Sequence, residues 1–284
     1  MPWIDPDFPP TATLSECVGR VLGLNPGPMT GPGTNTYLVG RRTPILIDTG
    51  AGEPGYLPLL ERYLAARGLG RPARVLLTHR HRDHLGGVPA LRARWPDLPV
   101  AKLRRRDGPL PEPVEDLRDG EVIAGDGVTL VALHTPGHAS DHLCYYLPEE
   151  QALFTGDLVL GGSTTVIPAD DGDLEDYLAS LRRIQGLALR RIYPAHGPVI
   201  EDPARTLAEY LEHRMLRERQ ILAALAEGPA TVPELVARIY HDVAPALHPA
   251  AAQSVQAHLR KLAREGRARA LPDAGAPPRW ALAG

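Results

Sequence analysis

The sequence contains Thr78-His79-Arg80-His81-Arg82-Asp83-His84 directly after the apolar run Val75-Leu76-Leu77, and this segment carries the clearest structural signal in the chain. Three imidazoles and one carboxylate fall within six residues. A packed core does not need polar side chains at this density, because such groups are costly to bury without partners. The segment therefore predicts a metal site that follows a strand.

The spacing of the four side chains has a geometric reason. Residues two apart point the same way on an extended chain, so His79 and His81 can converge on one ion. Asp83 and His84 follow an expected bend, where Leu85-Gly86-Gly87 lets the backbone approach closely, and they can reach a second ion. No cysteine stands among these ligands, which argues against a closed structural zinc site and favours an open, reactive one.

Three later segments end an apolar, strand-like run with a histidine or an aspartate near glycine. They are Val128–Leu133 before His134 and His138, Ala152–Thr155 before Asp157, and Arg191–Ala195 before His196. One ligand from each of these segments, together with the first cluster, gives seven ligands. That number suits two adjacent ions with three protein ligands each, one shared carboxylate and room for a bridging water.

This ordered set resembles the signature of the metallo-β-lactamase superfamily, His-x-His-x-Asp-His followed by later His, Asp and His ligands. The resemblance covers about residues 17–200 and implies a four-layer αββα sandwich of the α+β class. It also implies two divalent metal ions, with zinc expected and iron or manganese as alternatives. By this resemblance His79, His81 and His138 hold the first ion, Asp83, His84 and His196 hold the second, and Asp157 bridges them.

The flanking sequence resembles one branch of that superfamily more closely. The segments Asn25–Thr30, Gly33–Gly40 and Tyr193–Ile200 are similar to the β-lactamase-like-protein-2 branch, whose known members include a single-strand-selective endoribonuclease. The first functional expectation is therefore hydrolysis of single-stranded RNA. The alternative is a glyoxalase-II-like hydrolase of thioesters or esters. A nucleic-acid-binding regulator with a vestigial hydrolase domain is the alternative from another class.

Three residues are candidates for roles beyond metal binding. Asp83 can orient the attacking hydroxide as well as bind metal. Asp48 can orient a ligand imidazole through the free N–H of its ring, although an aspartate before Thr49-Gly50 suits a turn equally well. His142 is a candidate proton donor to the leaving group, but a polar residue at a strand edge is the simpler interpretation. His134 and His142 stand outside the ligand pattern.

Apolar periodicity outlines the elements around these motifs. Thr36–Val39 and Pro44–Ile47 predict successive strands, bounded by glycine and proline. Tyr56–Arg67 and Leu174–Ile184 predict helices, because their apolar residues recur at helical spacing. This order suggests two strand-rich halves flanked by helices.

After His196 the sequence becomes helical in pattern. We predict a catalytic domain over residues 1–205 and a second domain over residues 206–284. Asp202-Pro203 begins a helix, and Thr231-Val232-Pro233-Glu234 has the spacing of a capping box. Pro249 begins the last helix, so the domain contains helices followed by a short C-terminal segment.

That segment completes the outline of a winged-helix-like domain. Arg267–Leu271 and Arg279–Leu282 predict a hairpin across Pro272–Pro278. Basic residues on the third helix and hairpin are candidate contacts for the phosphates of a nucleic acid. They are Arg260, Lys261, Arg264, Arg267 and Arg269. The alternative is a domain that walls the substrate cleft or forms a dimer contact.

Composition suits one large core and a smaller one, with 284 residues of which 43% are hydrophobic and 23% charged. The net charge of -3 gives no general attraction to nucleic acid. Residues 1–10 lack the basic start and apolar centre of a secretory signal, and no run reaches membrane-spanning length. Cys17 and Cys144 do not suit a disulfide framework. These features predict a cytoplasmic protein and leave its oligomeric state open.

Overall fold

The computed structural model describes residues 3–104, 113–271 and 277–283. The chain divides into two compact units. The first unit comprises residues 1–135, 141–164 and 187–203, and the second comprises residues 136–140, 165–186 and 204–284. The second unit therefore includes two segments that precede residue 205, where the sequence predicts a boundary.

The described part of the first unit contains two β-sheets. The strands of the larger sheet are β1 Thr11–Thr13, β2 Val18–Leu22, β3 Asn35–Val39, β4 Ile45–Ile47, β5 Arg74–Leu76, β6 Val100–Lys102 and β7 Glu115–Asp116. Those of the smaller sheet are β8 Val122–Ala124, β9 Thr129–His134, β10 Leu143–Leu147, β11 Ala152–Gly156 and β12 Arg191–Pro194. The larger sheet runs in chain order, antiparallel up to β4 and parallel from β4 onward. The smaller sheet has the order β12-β11-β10-β9-β8, antiparallel except for the pair β11–β12.

Strands β3 and β4 show how the larger sheet buries both faces. Tyr37 and Ile47 face a core shared with the smaller sheet, where Tyr37 lies 5.1 Å from Phe154 between ring centres. Leu38 and Leu46 point the opposite way, into a second core with helices α1 Tyr56–Ala66 and α3 Val88–Arg94. This alternation follows from the two-residue period of a strand. The predicted strands and the predicted first helix are confirmed.

The second unit is mainly helical. Its elements are α4 Leu174–Gln185, α5 Pro203–Ala226, α6 Val232–Ile239, α7 His248–Arg264, β13 Ala268–Leu271 and β14 Arg279–Leu282. The last two strands pair antiparallel, as the hairpin prediction requires, while residues 272–276 of its loop lie outside the described residues. Thr231 and Glu234 form the predicted capping box at the start of α6. Apolar side chains of α5, α6 and α7, including Leu225, Leu235 and Leu259, form a separate core.

Both cysteines lie within the described residues of the first unit. Cys17 is half-buried and Cys144 is buried, and the two are not joined by a disulfide. Within the described ranges, no helix combines the length and the apolar character needed to cross a bilayer.

Candidate metal centre

Four of the predicted ligands lie in the turn after β5. His81 keeps an extended backbone, with φ of -64° and ψ of 144°, and immediately precedes the short helix α2, Arg82–Leu85. Asp83 and His84 fall in the first turn of that helix, and the His84 N–H donates to the His81 carbonyl at 3.0 Å. The chain bends where the spacing predicts. This bend brings His81, on the extended segment, close to Asp83 and His84 on the helix.

The two glycines after α2 make this bend possible. A Cβ on Gly86 would clash with the Ala51 carbonyl, and one on Gly87 would clash with the Thr49 carbonyl. The Gly87 N–H also donates to the Thr49 hydroxyl at 3.1 Å. Only glycine permits this approach of two backbone segments. The expected role of the Gly86-Gly87 pair is thus visible in the structure.

A first cluster of ligand atoms comes from His79, His81 and Asp157. These atoms lie within 4.8 Å of one another. The His79 Nε2 lies 2.8 Å from the His81 Nδ1 and 4.0 Å from the Asp157 Oδ2. His79 and His81 therefore converge, as their spacing predicts.

A second cluster comes from Asp83, His84 and His196, again with ligand atoms within 4.8 Å of one another. The Asp83 Oδ2 lies 3.4 Å from the His84 Nε2 and 3.3 Å from the His196 Nε2. The Asp157 Oδ1 lies 3.5 Å and 3.2 Å from the same two nitrogens. Asp157 thus directs Oδ2 toward the first cluster and Oδ1 toward the second.

His138, the seventh predicted ligand, belongs to the second unit. It is buried, and its Nδ1 lies 2.8 Å from the carbonyl oxygen of Val166. A carbonyl can only accept, so the Nδ1 carries the proton and donates it. This tautomer leaves the Nε2 lone pair available to a metal ion.

Asp48 is hydrogen-bonded to the ligand loop, residues 78–84. It is 1% exposed, and its carboxylate accepts hydrogen bonds from the Thr78 N–H at 2.8 Å, the Thr78 hydroxyl at 2.9 Å and the His84 Nδ1 at 2.8 Å. The Thr78 hydroxyl in turn lies 3.0 Å from the His79 Nδ1. A hydroxyl that donates to Asp48 can accept from His79. Both rings are then oriented with Nε2 toward the clusters, an arrangement in which Asp48 could orient a ligand imidazole.

His142 has a different role from the suggested proton donor. It is 0% exposed, and its Nε2 accepts the Asp157 backbone N–H at 3.1 Å. Its Nδ1 lies 2.9 Å from the Thr135 hydroxyl, which donates to the Cys144 thiol at 3.2 Å. The ring proton therefore sits on Nδ1, and Nε2 has none to give. The suggestion of a proton donor is wrong, and His142 instead positions Asp157.

Charge and burial together set the protonation of the second cluster. Burial works against ionisation of Asp83, but the charge on His84 and the close approach of the His196 and His84 nitrogens hold its pKa well below the usual value. Burial lowers the pKa of His196, yet Asp157 and Asp83 raise it to about 9. The pKa of His84 is likewise raised well above 6.5, because Asp83, Asp157 and Asp48 outweigh burial. The carboxylates of Asp83 and Asp157 therefore favour the protonated, positively charged form of the two imidazoles.

The residues fit a pair of cations. The His84 Nε2 is buried and makes no hydrogen bond within the described part of the chain. Lone pairs of imidazole nitrogens and carboxylate oxygens face one another here, and such an arrangement is unfavourable unless a proton or a metal ion lies between them. Nitrogen and oxygen donors without thiolate suit a divalent ion in an open site.

The predicted basic surface of the second unit is largely neutralised. Lys261 lies 2.7 Å from Glu218 and 2.6 Å from Glu265. Arg264 pairs with Asp173 and Glu175 at 2.6 and 2.8 Å, and Arg267 pairs with Glu218 at 2.6 Å. Arg260 is half-buried and Arg269 is exposed. Three of the five candidate phosphate contacts are therefore engaged with carboxylates.

Comparison with known proteins identifies the family of this site. The model of the metallo-beta-lactamase superfamily matches residues 29–196, which hold both ligand clusters. The chain belongs to the metallo-β-lactamase superfamily. A second model, the beta-lactamase associated winged helix domain, matches residues 231–280. The predicted superfamily and winged-helix domain are confirmed.

Relatives of this superfamily member cover most of its length. A beta-lactamase-like protein 2 homolog from Caenorhabditis elegans is 41% identical over 265 residues, 90% of this chain and 88% of the relative. An atrochrysone carboxyl ACP thioesterase from Aspergillus fumigatus is 43% identical over 248 residues, 83% and 77% of the two chains. The crystal structure of a metallo-beta-lactamase family protein from Thermus thermophilus has a TM-score of 0.80 at 26% identity and covers 95% of this chain and 100% of its own. The predicted α+β metallo-β-lactamase fold and the hydrolase class are confirmed.

Proposed function

We propose that this metallo-β-lactamase-superfamily enzyme hydrolyses a thioester or ester of a small acyl group at a two-metal centre. The observation that carries the proposal is the arrangement of Asp157, whose two oxygens face two separate ligand clusters. A carboxylate so placed can hold two cations at a fixed separation. The relative named as a carboxyl ACP thioesterase supports the thioester class.

The proposed ligands follow the superfamily pattern. His79, His81 and His138 would hold one ion, and Asp83, His84 and His196 the other, with Asp157 between them. We propose zinc at both sites, because Zn²⁺ is a borderline-soft ion that imidazole and carboxylate ligands bind well. Iron and manganese take similar donors. Elemental analysis of the purified protein tests the metal identity.

Asp83 is the ligand best placed to act on the attacking water. Its side chain is 25% exposed, against 0% for His84 and 11% for Asp157. When bound, the cations would acidify water and polarise the carbonyl oxygen. Asp83 would accept a hydrogen bond from that water and direct its lone pair toward the acyl carbon. Asp157 and His142 would keep the centre rigid while this happens.

The leaving group favours a thioester. A thiol has a pKa of about 8.5, so it departs as thiolate with little need for a proton donor. Expulsion of an alkoxide from RNA depends far more on a general acid. His142, the candidate for that acid, uses its Nε2 to accept the Asp157 N–H. The chemistry of the residues around the centre therefore supports thioester cleavage over RNA cleavage.

An apolar cavity supports binding of an acyl group. It has a volume of about 210 Å³ and is lined mainly by Trp3, Phe8, Pro32 and the Gly161-Gly162 and Gly197-Pro198 pairs. The Gly161 N–H donates to the carbonyl of the ligand His196 at 2.8 Å, and Gly197 follows His196 directly. A small apolar acyl group could pack against the residues that line this cavity. A phosphodiester chain would instead require basic side chains that do not already pair with carboxylates.

The deciding experiment compares two substrate classes on metal-loaded protein. Acyl-pantetheine thioesters are followed by release of thiol, and an unstructured RNA oligomer is followed by gel electrophoresis. We expect thioester turnover that chelation abolishes and added metal restores. His81→Ala should reduce it about 100-fold or more, because it removes a ligand.

Two controls accompany this comparison. His241→Ala removes an exposed histidine of the second unit and should leave turnover unchanged. Trp3→Ala should raise KM for acyl groups that fill the apolar cavity while leaving kcat nearly constant. Cleavage of RNA without turnover of any thioester, or thioester turnover that survives His81→Ala, would refute the proposal.

A further inference from the structure

The second unit contains a polar cavity that the proposed reaction does not use. Its volume is about 380 Å³, and its wall is formed by helices α4, α5 and α7. The lining residues are Glu175, Leu178, Arg182, Arg214, Met215, Glu218, His258, Lys261 and Glu265. Seven of these nine side chains are charged or titratable, so the cavity is built to hold something polar.

Arg214 is a buried cation without a counter-ion. Arg214 is 3% exposed. Its guanidinium donates to the Thr165 carbonyl and lies over the Tyr177 ring. The Arg214 Nε makes no hydrogen bond, and the residue forms no ion pair with any described carboxylate. An unmatched buried charge is costly, so an arginine in this setting calls for an anion.

His258 faces the same cavity with unused donors. It is 1% exposed, and neither ring nitrogen has a hydrogen-bond partner among the described residues. Burial lowers its pKa most, and together with the neighbouring charges of Arg214, Lys261, His213 and Arg217 it brings that pKa to about 3. All of these neighbours are cationic or basic. His258 therefore reports a positive potential and offers a neutral N–H to a ligand.

The glutamates of the cavity do not cancel that potential, because each is already matched. Glu218 pairs with Lys261 at 2.7 Å and with Arg267 at 2.6 Å. Glu265 pairs with Lys261 at 2.6 Å, and Glu175 pairs with Arg264 at 2.8 Å. Arg214 remains as the buried cation that these carboxylates do not reach.

We propose that this cavity binds a small organic oxyanion, a molecule that carries a carboxylate or a phosphate. The guanidinium of Arg214 would pair with the anionic group, and the N–H of His258 would donate to it. Arg182, which lines the cavity and is exposed, would meet the ligand at the opening. The volume exceeds that of a bare phosphate and accommodates an organic body as well. The proposal is independent of the reaction at the metal centre.

The test follows the His258 ring by NMR in metal-loaded protein with labelled histidines. The resonance is assigned with the variant His258→Gln. Inorganic phosphate and acetate are titrated separately, with chloride at equal ionic strength as the blank. We expect a saturable shift of the His258 resonance with at least one of the two oxyanions and none with chloride. The more effective oxyanion identifies the anionic group of the natural ligand.

Arg214→Gln should weaken this binding at least 10-fold. Arg219→Gln removes the same charge from an exposed position on the same helix and should leave it unchanged. A crystal soaked in selenate provides a measurement that does not depend on a variant, and we expect its anomalous peak between Arg214 and His258. The proposal is overturned if neither oxyanion shifts the resonance, if binding survives Arg214→Gln in a folded protein, or if phosphate shifts the resonance but no selenate occupies the cavity.

Discussion

Asp48 sits in the left-handed region, with φ of 58°, and accepts three hydrogen bonds from the ligand loop. Asp48→Ala would lose all three and strain the backbone as well. We expect metal affinity and activity to fall about 10- to 100-fold, as for other residues that orient a ligand imidazole. Metal content after dialysis and kcat at saturating metal are the measurements.

Asp48→Asn separates the two causes of that loss. Asparagine tolerates a positive φ, so the backbone is kept while the negative charge is removed. We expect intermediate metal affinity with a melting temperature close to that of the parent protein. If Asp48→Ala retains full metal content and activity, the carboxylate is only a turn residue.

The residues of the site were predictable to the extent that spacing encodes them. His79, His81, Asp83 and His84 stand so close in sequence that they predict a metal centre, and the structure brings their side chains together. The role of His142 required the sheet register. Continuing the pairing Tyr145↔Phe154 by three residues brings His142 opposite Asp157, but no sequence pattern fixes that pairing.

At the scale of elements, the end of β11 depends on Gly156. This residue has φ of 49°, and a Cβ there would lie 2.7 Å from the His142 Nε2 and 2.9 Å from the Thr78 Cβ. Gly156→Ala should therefore displace His142 and Thr78, the residues that position Asp157 and His79. We expect loss of metal binding and a destabilisation of about 2 to 5 kcal/mol, the sum of backbone strain and overpacking.

Gly120→Ala is the matched control for this effect. Gly120 also has a positive φ, 77°, but no atom lies within 4 Å of its would-be Cβ. It should show backbone strain alone, about 1 to 2 kcal/mol, with metal binding intact. Equal effects of the two substitutions in chemical denaturation would show that the crowding at β11 is unimportant.

Helix α6 begins with a reciprocal cap. The Thr231 hydroxyl accepts from the Glu234 N–H at 3.4 Å, and the Glu234 carboxylate accepts from the Thr231 N–H at 2.7 Å. Thr231→Ala should reduce the free energy of unfolding of the second unit by about 1 kcal/mol. Urea denaturation followed by circular dichroism measures it. Thr231→Ser keeps the hydroxyl and should retain most of the stability, and a loss as large as that of alanine would contradict the cap.

The elements divide by length in how well the sequence predicts them. Helices α1 and α4 span three turns of regular apolar spacing, so periodicity finds them. Strand β7 has only two residues and β1 only three, which is too short for any alternation to appear. Such strands form because neighbouring strands offer hydrogen-bonding partners, which no pattern within two or three residues can show.

For the whole molecule we predict loss of stability in acid. The pKa of His258 is about 3 in the folded protein, against 6.5 without the fold. Its stabilising contribution is complete above pH 6.5 and declines as the pH falls, because the unfolded chain then binds a proton that the folded chain refuses. His213, whose pKa is lowered to about 4, acts in the same direction.

His258→Gln should flatten this dependence. The free energy of unfolding, measured with urea in chloride buffer, should fall between pH 6.5 and 5 by about 2 kcal/mol less in the variant than in the parent protein. Identical pH profiles of the two proteins would mean that His258 is solvated rather than buried as a neutral ring.

The net charge of the molecule illustrates what composition cannot reveal. A total of -3 is consistent with either a free basic surface or a fully paired one. The pairing of Lys261, Arg264 and Arg267 with acidic residues depends on side chains as far apart in sequence as Asp173 and Arg264. Sequence patterns therefore identified the basic residues but could not show that they form ion pairs with carboxylates of the same chain.

The carboxylate of Asp157 has a consequence for how the protein loads its ions. One oxygen faces each cluster, and the Asp157 N–H donates to His142, so an ion held at one cluster would fix the carboxylate plane for an ion at the other. Uptake should consequently be cooperative. At half the saturating amount of zinc, the population should consist mainly of empty and doubly occupied molecules, and specific activity should track the number of complete pairs.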